Sequence, residues 1–442
     1  MSNDEKRDVV PLAWAPRQHF RAAYENRELR QAVWYYFAHL SSYLLPLLTF
    51  GYLARILGPA EWGTLAVFHS LGLYTSQIVE YGFNFTAARD VARGRDDVRV
   101  RASSVADVHA SKILLSCLLI VAAAVFYQLL PPLMRNPLLF CLAIAYGLSQ
   151  GLTLVWYFQG AGRLGELAAI DAVTRSAAAI ATVVTVRAPA DGWWMIALNT
   201  LGCLATTTIG LWIISRDTPL GLSGFRAAVA TLRTGFPLFL FRGASSLYGA
   251  ANGFVLGLFS TQLSVGYYAG AERVYKGFTA LLHPLMQLLY ARVNHAMGTT
   301  DGFDGQSGQV ARKSALMMAG AGAVLGLACA VTSRAVVSIL LGPGFELAVP
   351  VLRVFGLILF MEAIGIALGI QWMLPLGLDR QLTVITLAAS AMNLLLAWWL
   401  AGPFGELGMA LAVLASHTTF AAGCFAYLRW RGLDPLRRQG GE

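Results

Sequence analysis

Charge is scarce along this chain. Only 13% of its 442 residues are Asp, Glu, Lys or Arg, against about 25% in soluble domains, and that shortage excludes a water-soluble fold. Lysine occurs only at positions 6, 112, 276 and 313, and no GxxxxGK[ST] segment is present. The chain therefore lacks a loop that would cradle nucleotide phosphates, and ATP hydrolysis is not expected of it. The seven histidines are scattered, with no i,i+4 pair and no cysteine or carboxylate cluster at ligand spacing, which leaves a metal site without support. The five cysteines, Cys117, Cys141, Cys203, Cys329 and Cys424, each sit in an apolar run without paired spacing. They read as small buried hydrophobes, not as disulfides or metal ligands. The first 30 residues carry eleven charges and no short apolar core followed by a small-residue cleavage site. That is the composition of a cytosolic tail, not of a signal peptide.

What the chain has instead is apolar length: 57% of its residues are hydrophobic. Runs of about 20 residues, enough to span a hydrocarbon core, recur from residue 31 to residue 429. The predicted spans are 31–57, 64–94, 104–130, 137–162, 164–187, 192–215, 235–260, 266–295, 313–341, 347–375, 382–402 and 405–429. Turn signals separate them, among them GPAEWG at 58–63, APADG at 188–192 and GPFGELG at 402–408. With the N-terminus inside, 24 of the 33 Lys and Arg residues fall on the inner tails and loops, and only Arg55, Arg135 and Arg187 on outer connections. The positive-inside rule then puts both termini in the cytosol. The net charge of +9 is read as a topology signal, not as a nucleic-acid site.

Overlaid at an offset of 203 residues, the two halves match weakly. Gly63-Thr-Leu-Ala falls on Gly266-Tyr-Tyr-Ala, and the Ala-Arg ending at Arg89 falls on that ending at Arg292. Each half holds six spans, so both enter the membrane from the same side and form parallel repeats. The expected fold is an all-α polytopic membrane protein of about twelve helices, in two six-helix lobes around a central cavity. The expected divisions are a cytosolic tail at 1–30, a first lobe at 31–215, a cytosolic linker at 216–234, a second lobe at 235–429 and a cytosolic tail at 430–442. Every outer connection is short, which leaves little room for the loop-borne catalytic residues of a membrane glycosyltransferase, ligase or polymerase.

Ten ionisable residues fall within the spans, each costing at least about 2.5 kcal/mol near a helix centre. Asp171 with Arg175, and Glu272 with Lys276, stand at i,i+4 and can pair locally. Arg334 and Arg353 lie near outer ends, where their side chains can snorkel. Arg242 and Arg273, helped by Lys276, are then the candidates for holding an anionic substrate. Glu80, Asp171 and Glu362 are the candidates for ion coupling, and no motif singles one out. Polar residues also recur at helical spacing: Ser70, Tyr74, Gln77, Tyr81 and Asn84 in span two; Tyr146, Gln150, Thr153 and Tyr157 in span four; Arg242, Ser245, Gly249 and Asn252 in span seven. Such faces either glue helices together or line a wet cavity. Read as cavity lining, they offer Tyr74, Gln77, Tyr81, Asn84 and Asn252 as sugar contacts.

Six segments carry a more specific signal: YLARILGPAEWGTLAVFHSL (52–71), VEYGFNFTAARDVAR (79–93), WYFQGAGRL (156–164), VGYYAGAERVYKG (265–277), LMQLLYARV (285–293) and LLGPGFELAVPVLRVFG (340–356). Together they resemble the Wzx-type flippases of the polysaccharide transporter family, within the multidrug, oligosaccharidyl-lipid and polysaccharide exporter superfamily. The resemblance implies two six-helix lobes forming a V. It implies a substrate of undecaprenyl-diphosphate-linked oligosaccharide, moved from the cytosolic to the periplasmic leaflet of a bacterial inner membrane for capsule, O-antigen or exopolysaccharide assembly. It implies no enzyme activity and no cofactor, and as partners the lipid bilayer with a polymerase and a chain-length regulator of the same pathway. By position, Arg242 sits where such proteins place a basic residue on span seven. A multidrug or organic-cation exporter of the same superfamily is the alternative, and a lipid-only scramblase or a structural partner of a synthase is a further class. A cation exporter calls for a net acidic cavity, whereas the spans here are net basic.

Overall fold

A computed structural model of the chain describes residues 17–129, 136–249, 252–297 and 306–433, with side chains described for 48–129, 136–240, 252–296 and 307–433. Among the described residues there is no β-strand. The helices are α1 (Arg17–Glu80), α2 (Thr86–Arg93), α3 (Val98–Leu129), α4 (Pro137–Gly151), α5 (Val155–Gly160), α6 (Leu164–Thr185) and α7 (Trp193–Asp217). They continue as α8 (Phe225–Gly249), α9 (Asn252–Phe259), α10 (Gln262–Ala280), α11 (Leu282–Met297), α12 (Gln306–Val336), α13 (Ala348–Gly365) and α14 (Asp379–Trp430). Wider π-type turns extend α12 over Val337–Leu341 and α13 over Ile366–Met373.

Two expected turns shrink to single residues. α1 bends at Gly58 (φ 70°) and α14 at Gly405 (φ 54°), each a left-handed conformation that an L side chain resists. Splitting α1 and α14 there, counting the short α2 with the second half of α1, and grouping α4 with α5, α8 with α9 and α10 with α11 gives twelve rods. Among the described residues, seven stretches are long and apolar enough to cross a membrane. The rest are interrupted by bends, which only neighbouring helices can re-satisfy inside a bilayer. The outer surface is apolar: Val121, Leu129, Val173, Leu327, Val331 and Trp399 are each at least 66% exposed. In water this would be an aggregation liability; in a bilayer it is the lipid-facing wall.

Three boundaries differ from expectation. The first helix starts at Arg17, inside the segment read as a tail. Span two stops at Glu80, because Tyr81 takes φ 51°, and Thr86–Arg93 forms a separate short helix that buries Ala87, Ala88 and Val91. The start of α8, read as linker and second lobe, packs on the first lobe: the Ser111 hydroxyl donates to the Ala228 carbonyl (3.1 Å), and Tyr81 stacks on Phe239 at 4.4 Å.

The repeat is visible as symmetry. A Cβ at Gly63 would lie 1.9 Å from the Gln262 carbonyl, and one at Gly266 would lie 1.9 Å from the Pro59 carbonyl. Pro59 and Gln262, like Gly63 and Gly266, are 203 residues apart. The two contacts are images of one another, so the repeat axis runs between the second half of α1 and α10. Small residues let the two backbones meet there. At the same end Tyr52 donates to the Val186 carbonyl (2.9 Å), and Arg55 reaches the Ile339 carbonyl.

Candidate functional site

Behind the Gly63–Gly266 contact lies a cavity between the lobes, of about 320 Å³. The second half of α1 contributes Trp62, Ala66, His69, Ser70 and Leu73, at helical spacing. The facing side of α10 contributes Ala269, Arg273 and the Glu272–Lys276 pair, whose charged atoms are 3.1 Å apart. His69 stacks on Tyr146 at 5.1 Å. Arg273 and Lys276 thus share this wall with His69. Arg175 is steered by Asp171 (2.6 Å) and donates to Gln150 (3.0 Å), to which Cys203 also donates. Guanidinium forks next to hydroxyls, an amide and an imidazole suit an oxyanion attached to polar groups.

A second cavity, of about 370 Å³, lies within the second lobe. Its wall includes Tyr275, Thr279, Glu362, His283, His417 and Asn252, and it shares Glu272 and Lys276 with the first. Glu362 accepts from the Tyr275 hydroxyl at 2.6 Å and from Thr279 at 3.3 Å. Asn252, buried, accepts from Asn393 at 2.9 Å and so ties α9 to α14.

The predicted site residues separate in space. Arg273 and Lys276 stand together on the inter-lobe cavity, and Asn252 is on the second-lobe cavity. The span-two stripe does not hold as one face. Tyr74 turns toward Phe254, with ring centroids 6.1 Å apart and its hydroxyl buried without a partner. Gln77 lies one turn beyond Leu73 and is partly exposed. Tyr81 and Asn84 lie past the helix end, and the Asn84 amide donates to Glu80 at 3.4 Å. A stripe extrapolated through Tyr81 loses its register because one left-handed residue re-aims everything after it. In span four, Thr153 lies in the break between α4 and α5, and Tyr157 bonds Thr218 at 2.8 Å, away from both cavities. Arg242 sits on α8, and its side chain lies outside the described residues.

Sequence reasoning missed Lys112, which was counted with the inner loops. It is 1% exposed, and its ammonium donates to the Gly151 (2.7 Å) and Thr153 (2.9 Å) carbonyls. Those carbonyls are left free by the break between α4 and α5, and Glu80 adds its field to the ammonium. A lysine at the ninth position of the predicted span 104–130 was the available signal. His69 was also missed, although it adjoins Ser70 of the stripe. Outside the spans, the Arg163 guanidinium donates to Glu166 and to Asp217 (both 2.7 Å), and these carboxylates raise its pKa further, tying α5, α6 and α7 at one end.

A bundle of two helical repeats with an apolar outer wall, a glycine contact at one end and a cavity lined by Arg273 and Lys276 between its lobes has the architecture of a membrane transporter. The solved structures it resembles have that fold. An inward-facing multidrug resistance MATE family transporter matches with a TM-score of 0.68 at 14% identity, over 88% of this chain and 94% of that one. The lipid II flippase MurJ, in an inward closed conformation, matches with a TM-score of 0.69 at 12% identity, over 90% of this chain and 87% of that one. The chain belongs to the polysaccharide biosynthesis protein family, whose model matches residues 29–290. Among curated relatives, a protein of Escherichia coli (strain K12) named for O-antigen transport is 27% identical over 395 residues, 88% of this chain and 94% of that protein. One of Shigella dysenteriae with the same name is 22% identical over 388 residues, 86% of this chain and 94% of that protein. Both relatives are named as transporters, and its long apolar helices make the chain a multi-pass membrane protein.

Proposed function

We propose that this chain flips an undecaprenyl-diphosphate-linked oligosaccharide from the cytosolic to the periplasmic leaflet, for O-antigen, capsule or exopolysaccharide assembly. The observation that carries the reading is the pair Arg273 and Lys276 on the wall of the inter-lobe cavity. Two cations against one carboxylate on that wall, Glu272, suit a diphosphate and disfavour an organic cation. Ser70, His69 and Tyr146 offer the hydroxyl and ring partners a sugar needs, while the lipid tail stays in the bilayer between the lobes. Arg242 is included in the diphosphate site on its place in the sequence alone. The reading divides the lobes at 31–215 and 235–429, keeps both termini in the cytosol, and sends product to a polymerase and chain-length regulator.

Binding of undecaprenyl diphosphate to the purified chain in nanodiscs tests it. Arg273→Ala or Lys276→Ala, each removing a charge-assisted hydrogen bond, is expected to weaken binding by roughly 10- to 100-fold. Wild-type affinity in both variants, or displacement of the lipid by an organic cation that binds more tightly, overturns the reading.

A further inference from the structure

Of the three carboxylates within the spans that could couple transport to an ion, one differs from the others in its hydrogen-bond partners. Asp171 is 2.6 Å from the Arg175 guanidinium, so its charge is already compensated. Glu80 stands in the field of Lys112, an ammonium supplied by the chain itself and held by two backbone carbonyls. Glu362 accepts from two hydroxyls, Tyr275 and Thr279, and among the described residues no Lys, Arg or His lies within ion-pair distance of it. A hydroxyl donates to a carboxylate and, after turning, accepts from a carboxylic acid. This site can therefore satisfy Glu362 in either state, which an ion pair cannot do.

We propose that Glu362, with Tyr275 and Thr279, is the site of an exchangeable proton, and that α10 ties it to the inter-lobe cavity. α10 carries two adjoining faces. Tyr268, Glu272, Tyr275 and Thr279 line the second-lobe cavity, whereas Ala269, Arg273 and Lys276 line the inter-lobe one. The Glu272–Lys276 pair stands on the edge between them. An anion entering the inter-lobe cavity competes with Glu272 for Lys276. The released Glu272 then shares a cavity with Glu362, and two carboxylates at close quarters favour uptake of one proton between them. The titratable groups around Glu362 are Tyr268, Glu272, Tyr275 and Lys276 from α10, His283 from α11 and His417 from α14. On the other side of α13, α12 presents Gly322 and Gly326. The α10 linkage rests on the anion reading above; the proton site does not.

Carbodiimide labelling tests the site directly, because the reagent attacks protonated carboxyls in apolar surroundings. The purified full chain is treated across a pH series, and the modified peptide is identified by mass spectrometry. The expected result is modification at Glu362 that falls about tenfold per pH unit once the carboxyl ionises, is absent in Glu362→Gln, and is unchanged when choline replaces sodium. Tyr275→Phe keeps the carboxyl and should shift the midpoint by about one pH unit, the worth of a hydrogen bond to a charged group. Preferential labelling of Glu80 or Asp171, labelling of Glu362 that ignores pH, or protection by sodium at fixed pH overturns the proposal. Labelling that behaves as expected in a chain that does not bind undecaprenyl diphosphate keeps the proton site and removes only the linkage.

Discussion

Replacing Gly63 by Ala should push the two lobes apart at one end. The added methyl would meet the Gln262 carbonyl oxygen at 1.9 Å and the Gly266 nitrogen at 2.7 Å. Both obstacles are backbone, so no rotamer change relieves them, and α1 and α10 must separate by more than an ångström. Overpacking of this kind costs about 1–3 kcal/mol. Set against it is the gain of about 0.5–1 kcal/mol from Gly→Ala within a helix. The net is about 1–2 kcal/mol against the apposed arrangement, roughly a tenfold loss of its population. The assay needs Cys117 and Cys141, both exposed, replaced first. A cysteine at Ser70, on the inter-lobe cavity, then reports entry of an impermeant maleimide from the side on which α1 bends at Gly58. Labelling should rise in Gly63→Ala and equally in Gly266→Ala. The double variant should add little, because one methyl already separates the helices. Gly320→Ala is the control, since a Cβ there meets nothing within 4 Å. If Gly63→Ala behaves like Gly320→Ala in both labelling and thermal unfolding, the two glycines do not form the closure.

Lys112→Met should lower the unfolding temperature far more than Lys313→Met, because each carbonyl left without its donor costs about 1–3 kcal/mol; equal losses would refute the buried role. Reporter fusions after Val100, Phe225, Gly305 and Pro435 should all report cytosol, and one periplasmic signal breaks the twelve-span topology. Arg242→Glu combined with Glu80→Arg or Glu362→Arg should fail to restore polymer export if Arg242 holds phosphate; restoration at normal protein level makes it a structural ion pair. At the exposed turn 342–347, the backbone amides of Glu346 itself and of Gly344 hold the Glu346 carboxyl below its usual range. A depressed folded-state value makes this contribution present above about pH 4 and lost as pH falls through it. The protection of the Gly344 amide against hydrogen exchange, taken relative to the intrinsic rate at each pH, should therefore fall in acid, and Glu346→Gln should remove that loss.

Whatever depends on local spacing could be read from the chain alone. Apolar length and the placement of Lys and Arg defined a membrane protein, since crossing hydrocarbon constrains every residue of a span. The pairs Asp171–Arg175 and Glu272–Lys276 were legible because one helical turn brings i and i+4 together whatever the tertiary fold. The offset of 203 residues revealed a repeat, although nothing in it said that Gly63 and Gly266 would touch. Contacts between distant segments were decided by packing. Glu362 meets Tyr275 across 87 residues, and Lys112 reaches Gly151 across 39. No periodicity encodes either distance. The stripe Tyr74–Gln77–Tyr81–Asn84 failed for the converse reason. Helical spacing predicts a common face only while the helix continues, and Tyr81 ends it with a single backbone angle. The sequence by itself thus determined which stretches enter the membrane and which charges they carry, Lys112 excepted. Only the tertiary structure decided which of them are neutralised by a neighbour and which are left facing a cavity, because that depends on what each helix packs against.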